Sequence, residues 1–376
     1  MRKVLLLNDT TNWYHFGCTG TSTALKAGIL KRGFDLTSLP ITLTYKIHNH
    51  PQTKEDFQDY DEFLKFQSQN QEFIDQIKKH DIVMINGEGT IHGLREGPRL
   101  LLYLAFISKI FLKKHVEIIN HSAYPQDDLS ISNSQIIQLY KLVYSKLDFI
   151  AVREPLSFKL MQKLGLNVCE SFDCLPLYIR DNYVSKKQFS KKTLLIAGSA
   201  AWLNLNILSK AKGNVHTFDK ALENFAQYLN YMDKRGYEIQ FIYGANDYPA
   251  KDDKDFIDFI EPKLGFKLNV VTANDIQQWL NIIEQASLLI SGRFHHSIAA
   301  YCLGTPLVAL NSNTPKMEGL MQVLGGREVI KYADPNLVDK LISATTSIER
   351  LGKNKTPNFE ALITAAEKNF DGLDNI

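Results

Sequence analysis

A chain of 376 residues, at about 150 residues per domain, has room for two domains and a buried core. Hydrophobic residues at 44% and charged residues at 22% argue against a disordered chain, a collagen-like repeat and a polytopic membrane protein. The 43 basic and 41 acidic residues leave a formal charge of +2. With no Lys/Arg-rich block either, no nucleic-acid partner is expected.

The first half alternates short apolar runs with helical stretches. Val4–Leu7 reads as a strand, and Asn8 to Thr21 as a polar, glycine-containing loop. This run is shorter than the roughly 7–15 residues of a signal-peptide core. The four cysteines, Cys18, Cys169, Cys174 and Cys302, form no C-x-x-C pair and fit a reducing compartment. The expected localisation is therefore cytoplasmic. Ser22–Arg32 reads as a helix stopped at Gly33, with Thr21 or Ser22 as its N-cap. Apolar spacing predicts one helix over Asp56–Lys79. Ile82–Ile85 is a strand, Arg99–Lys113 a helix, and Val116–Ile119 a strand ending in Asn120 and His121. Ser132–Leu147 is a helix and Phe149–Val152 a strand.

The second half repeats the pattern. Strands are read at Leu194–Ala197, Ile239–Tyr243, Asn269–Val271, Leu288–Ile290 and Pro306–Leu310. Helices are read at Phe218–Arg235, Asp255–Leu264, Asp275–Gln285 and Arg293–Leu303. The expected fold class is α/β, with two Rossmann-like domains, each built on a parallel sheet. The lysine-bearing stretch Asp181–Lys192 supplies the linker. The expected limits are 1–182 for the first domain, 183–192 for the linker, 193–345 for the second domain and 346–376 for a helical tail. Two such domains facing each other would bind ligands at the C-terminal ends of their strands.

The strongest local pattern is Ser291-Gly292-Arg293-Phe294-His295-His296-Ser297, where an apolar strand stops and a helix opens. First-turn amides and the helix dipole favour an anion there. Arg293 could grip a carboxylate or phosphate bidentately, and a histidine could carry a proton near neutral pH. The plain alternative is a core helix with a capping serine and a satisfied histidine. Lys316, in the loop after the last strand, could add a second positive charge or simply be solvated. The second pattern is Asn86-Gly87-Glu88-Gly89-Thr90, with His92 close behind. Glu88 could take a proton from a hydroxyl, or it could be a turn carboxylate. His15-Phe16-Gly17-Cys18-Thr19-Gly20-Thr21-Ser22 lacks the spacing of a dinucleotide or Walker A loop. Arg153-Glu154-Pro155, Asp173 and Asn246-Asp247 lie at further strand ends and read equally well as structural. No H-E-x-x-H, Asp-rich loop or G-x-S-x-G is present, so no metal, cofactor or serine nucleophile is expected. The apolar helix Arg99–Lys114 is too short to span a bilayer. Burial against the sheet is preferred over contact with a membrane surface.

Ser291–Ala300, with Gly304-Thr305-Pro306 and Lys316, resembles the C-terminal signature of the polysaccharide pyruvyl transferase family. Asn86–Thr90, Arg153–Ser157 and Asp173 resemble its N-terminal motifs, in the same order, so that the likeness runs over residues 1 to about 330. The resemblance implies two facing Rossmann-like domains of the GT-B glycosyltransferase kind. It implies transfer of a pyruvyl group from phosphoenolpyruvate to two hydroxyls of a sugar, forming a ketal. The implied acceptor is a surface polysaccharide or its lipid-linked precursor, at the inner face of the membrane. Under it, Arg293, His296, Ser291 and Lys316 hold the donor anion, and His295 and Glu88 move protons. Asn86, Gly87, Gly89, Thr90, His92, Arg153 and Asp173 serve the acceptor side. One departure stands out. Relatives often carry an arginine after the first strand of the second domain, and here the run is Ile196-Ala197-Gly198-Ser199-Ala200-Ala201-Trp202. A glycosyltransferase with a nucleotide-activated sugar donor, acidic or neutral, and the nucleotide base stacked on Trp202 therefore stays open.

Overall fold

A computed structural model describes the chain except residues 14, 48, 94, 125–133, 187–191, 199–200, 202–214, 244–250, 327 and 352–357. His48, Trp202, Asn246, Asp247 and half of the expected linker (187–191 of 183–192) lie outside the described residues. Among the rest, β1 (Lys3–Asp9), β2 (Asp35–Pro40), β3 (Ile82–Glu88), β4 (His115–His121), β5 (Phe149–Val152) and β6 (Cys169–Glu170) form one parallel sheet. Its order is β2-β1-β3-β4-β5-β6. A second parallel sheet joins β7 (Thr193–Ala197), β8 (Glu238–Ile242), β9 (Asn269–Val271), β10 (Leu288–Ser291) and β11 (Leu307–Ala309) in the order β11-β10-β7-β8-β9. Strands such as β3 are buried along their whole length. This is why they read as unbroken apolar runs rather than as alternating patterns.

The chain divides into two compact units, residues 1–13, 19–178 and 360–376 in one, and 14–18 with 179–359 in the other. The expected 346–376 tail is thus not one appendage. The helix Leu337–Leu351 belongs with the second unit, and residues 360–376 return to the first. The described part of the linker is tied down within the second unit. Tyr183 and Ser185 hydroxyls and the Lys186 amide donate to the Glu284 carboxylate at 2.9, 2.5 and 3.0 Å.

Three local readings change. The helix expected over 56–79 is three helices, Lys54–Gln58, Tyr60–Gln69 and Gln71–Lys79. Asp59 turns extended (ψ 121°) and its carboxylate caps the amides of Asp61 and Glu62, which stops one helix and starts the next. Asp35–Pro40, read as no element from sequence, is edge strand β2. The helix expected from Ser22 begins at Phe16 and runs to Lys31, so residues 16–21 of the expected loop are helical. Its Gly17 faces the His295 imidazole so closely that any Cβ would overlap the ring. Packing within the second unit thus outweighs glycine's low helix propensity. By contrast, Glu96–Ile110 is a core helix as preferred, with Leu100–Ser108 at most 3% exposed. Among the described residues no helix is long and apolar enough to cross a membrane.

Candidate active site

In the first unit the chain leaves β1 toward β2 on one side and β3 follows on the other, so the strand order reverses between β1 and β3. Ligands in such sheets gather beyond the strand C-termini at this reversal. Three strand ends there carry side chains in the left-handed region: Asn8 (φ 59°), Glu88 (φ 39°) and Asn120 (φ 51°). Asparagine tolerates that region, but a glutamate in it is strained. Such strain persists only where the surroundings over-determine it. Here the Ser122 amide donates to the Glu88 carbonyl at 2.7 Å. Gly87 permits the turn, because a Cβ at that position would stand 2.7 Å from His121 Cβ.

The Glu88 side chain is buried, 5% exposed, and enters a polar network. Its Oε1 accepts from Thr10 Oγ1 at 2.5 Å and Asn86 Nδ2 at 3.0 Å. Ser22 Oγ bonds Thr10 Oγ1 at 2.8 Å and accepts from Asn86 Nδ2 at 3.1 Å. Asn8 Nδ2 reaches the Asn86 carbonyl and Thr90 Oγ1. Glu88 is thus neither a helix cap nor a solvent-facing turn carboxylate. Arg153 bonds to Asp173 (Nη1 to Oδ2, 2.7 Å) and to Ser122 Oγ (Nε, 2.8 Å). Asp173 Oδ1 accepts from Thr21 Oγ1 and the Leu175 amide. Glu154 caps the helix Pro155–Lys163 through the amides of Leu156 and Ser157. His92 Nδ1 lies 2.7 Å from the Gly89 carbonyl oxygen, and its ring contacts Arg95. In the first unit the structure therefore brings together Asn86, Gly87, Glu88 and Thr90, with Arg153 and Asp173 beneath the same strand ends through Ser122.

In the second unit the order reverses between β7 and β10. Ser291 Oγ accepts the Arg293 amide at 2.9 Å, and Ser297 Oγ donates to the Arg293 carbonyl at 3.0 Å. These bonds shape the start of the helix Phe294–Cys302. Ser291 is fully buried and acts as that turn's acceptor. The Arg293 guanidinium pairs with Asp253, whose side chain is 1% exposed. A Cβ at Gly198, just past β7, would lie 2.7 Å from the same carboxylate. A guanidinium has five N–H donors, so this pairing does not by itself exhaust its capacity for an anion. His295 is half-buried, with its Nδ1 3.9 Å from Cys18 Sγ. Lys316 opens the helix Lys316–Val323, with Nζ 3.3 Å from Asn313 Oδ1. That helix packs on Phe294–Cys302.

His296 departs from the expected anion contact. Its ring is 3% exposed and Nε2 accepts from Trp279 Nε1 at 3.0 Å, which leaves the proton on Nδ1. Burial, reinforced by the Arg293 charge, holds it well below the ordinary imidazole range. In the first unit His121 is alike. Burial, then the Arg153 charge, lowers it to about 3, and Nε2 lies 2.7 Å from the Tyr144 hydroxyl. Both rings fold neutral and gain a proton in the unfolded chain at about pH 6.5. From there down, toward pH 3 for His121, the unfolded state binds more protons, so each ring costs stability as pH falls, at up to about 1.4 kcal/mol per pH unit. Glu117 and Glu154, raised by burial, act in the opposite sense. His121→Gln should therefore flatten the loss of unfolding free energy between pH 6.5 and 5, read by urea titration at each pH. An unchanged slope would show that His121 is protonated in the fold.

Some of these residues left a trace in the sequence. Asn8-Asp9-Thr10 and Asn120-His121-Ser122 are polar triplets at the ends of apolar strands, a pattern that marks strand C-termini in parallel sheets. Asp253 left none, since it is one acidic residue among several in the helix Lys251–Ile260. Among the described residues no cluster of His, Cys, Asp and Glu is arranged to hold a metal.

A family model described as polysaccharide pyruvyl transferase matches residues 26–314. The amylovoran biosynthesis protein AmsJ of Erwinia amylovora is 24% identical over 308 residues, 75% of this chain and 69% of that protein. A UDP-GlcNAc 2-epimerase structure from Methanocaldococcus jannaschii superposes with a TM-score of 0.61 at 12% identity, covering 100% of both chains. A glycosyltransferase structure from Rickettsia africae gives 0.54 at 12% identity, again with 100% of both chains covered. At such identities these structures share the fold alone, GT-B-like with two parallel sheets.

Proposed function

The chain belongs to the polysaccharide pyruvyl transferase family, and from that premise we propose that this transferase moves a pyruvyl group from phosphoenolpyruvate onto two hydroxyls of a polysaccharide sugar or its lipid-linked precursor. The observation that carries the acceptor half is Glu88, a strained and buried carboxylate at a strand-order reversal. The donor half rests on Arg293 at the opening of the helix Phe294–Cys302, with the first-turn amides and Lys316. Phosphoenolpyruvate offers a carboxylate and a phosphate to these groups.

One sugar oxygen bonds to C2 of phosphoenolpyruvate while the methylene carbon gains a proton. The C2–O bond to phosphate then breaks, and the second sugar oxygen closes the ring at C2. Two hydroxyl protons leave, one ending on the new methyl group and one on phosphate. In this scheme Glu88 takes a hydroxyl proton, and His295 delivers a proton or contacts the phosphate. Thr10 and Asn86 keep the Glu88 carboxylate oriented. Ser291 and His296 shape the donor turn and its supporting core.

A nucleotide-sugar donor is the second reading, favoured by the absence of an arginine in the sequence after β7. Thermal-shift and calorimetric titration with phosphoenolpyruvate and a nucleotide panel separates the two, because a ligand of the folded state raises the melting temperature. Stabilisation by phosphoenolpyruvate is expected. Stabilisation by a nucleotide alone would replace pyruvyl transfer with glycosyl transfer. Glu88→Gln is expected to lower turnover about 10²-fold, at the low end for a general base, with donor affinity unchanged. Full turnover, read as phosphate release with an acceptor glycan, would remove Glu88 as the base.

A further inference from the structure

Asn369 lies well beyond residues 26–314, in the turn Lys368–Phe370 that follows the helix Phe359–Glu367. It is fully buried in the first unit, and its amide is used on both sides. Nδ2 donates to the carbonyls of Phe172 (2.7 Å) and Ala366 (2.9 Å). Oδ1 accepts from Ser171 Oγ (3.2 Å) and from the backbone amide of Asn120 (2.7 Å). Asn120 is a left-handed residue at the end of β4. Its own side chain points the bond onward, since Nδ2 donates to Asn86 Oδ1 at 2.9 Å. Asn86 then commits its Nδ2 to Glu88 Oε1 and Ser22 Oγ. An amide has one acceptor end and one donor end. With Asn120 donating to its oxygen, Asn86 can present only N–H groups to Glu88. The chain of bonds thus sets which way the Asn86 amide faces.

We propose that Asn369 is a positioning residue for Glu88, acting through Asn120 and Asn86, so that the C-terminal segment is a working part of the acceptor-side site. The proposal rests on the reading of Glu88 as the acceptor-side base.

Asn120→Gly is the sharpest test. Glycine adopts φ 51° without strain and retains the backbone amide that Asn369 holds, so only the link to Asn86 is cut. Asn369→Ala removes the anchor. In either variant, hydrogen exchange of the 86–90 amides should accelerate at least tenfold, while the β7 and β8 amides stay unchanged. Turnover should fall about tenfold at unchanged affinity for phosphoenolpyruvate. The double variant should lose no more than the worse single one, because both cut the same line of bonds. Additive losses, or unchanged exchange and turnover in Asn120→Gly, would overturn the proposal. If Asn369→Ala does not fold, Asn369→Ser takes its place, and unchanged exchange and turnover in that variant would overturn the role of Asn369. A fully active Glu88→Gln fails differently. It overturns the reading of Glu88, whatever the exchange at 86–90 does.

Discussion

Replacing Arg153 with alanine is expected to destabilise the protein by about 3–5 kcal/mol, the usual cost of removing one partner from a buried ion pair. Arg153 and Asp173 side chains are 3% and 0% exposed, with Nη1 and Oδ2 2.7 Å apart. Alanine would leave the Asp173 carboxylate buried without its guanidinium, beside Thr21 Oγ1 and the Leu175 amide at 2.9 Å each. It would also release Ser122, whose amide holds the strained Glu88 carbonyl. Urea unfolding reads the stability, and turnover is expected to fall with it. The pair as a whole need not be stabilising, because its desolvation cost offsets its attraction. Arg153→Met with Asp173→Leu should therefore recover part of the loss. A loss under 1 kcal/mol in Arg153→Ala would mean that water reaches the pair.

Arg293→Ala is expected to weaken donor binding by about 10²–10³-fold, or about 2.7–4 kcal/mol, as for truncation of one partner of a desolvated charge pair. Calorimetric titration with phosphoenolpyruvate measures it. The pairing with Asp253 complicates the single variant, since alanine strips a buried carboxylate of its guanidinium. Arg293→Ala combined with Asp253→Asn removes that second effect. If the combined variant binds phosphoenolpyruvate as the unaltered protein does, the anion site lies elsewhere. If it stays as weak as Arg293→Ala, the loss belongs to the guanidinium.

Much of this protein could be read along the chain. Strands buried on both faces must be apolar throughout, so β1, β3, β7 and β10 announced themselves, and the alternation with helices required parallel sheets. The two richest motifs, Asn86–Thr90 and Ser291–His296, were legible because the ends of such strands tolerate glycine and polar residues that their interiors do not. What only the tertiary structure decided is who pairs with whom. A hydrogen-bond or ion-pair partner is chosen by distance in space, and nothing in the sequence near Arg293 or Arg153 named Asp253 or Asp173. Nor did anything near Glu88 name Thr10 or Ser22. His296 looked like His295 until folding put one against Trp279 in the core and left the other half-buried beside Cys18. The first turns of the helix Phe16–Lys31 were read as loop because glycine disfavours helices, and close packing on His295 reversed that preference. Asn369 carried no signal at all, because a lone asparagine near the C-terminus acquires meaning only when the chain returns it to the ends of β4 and β6.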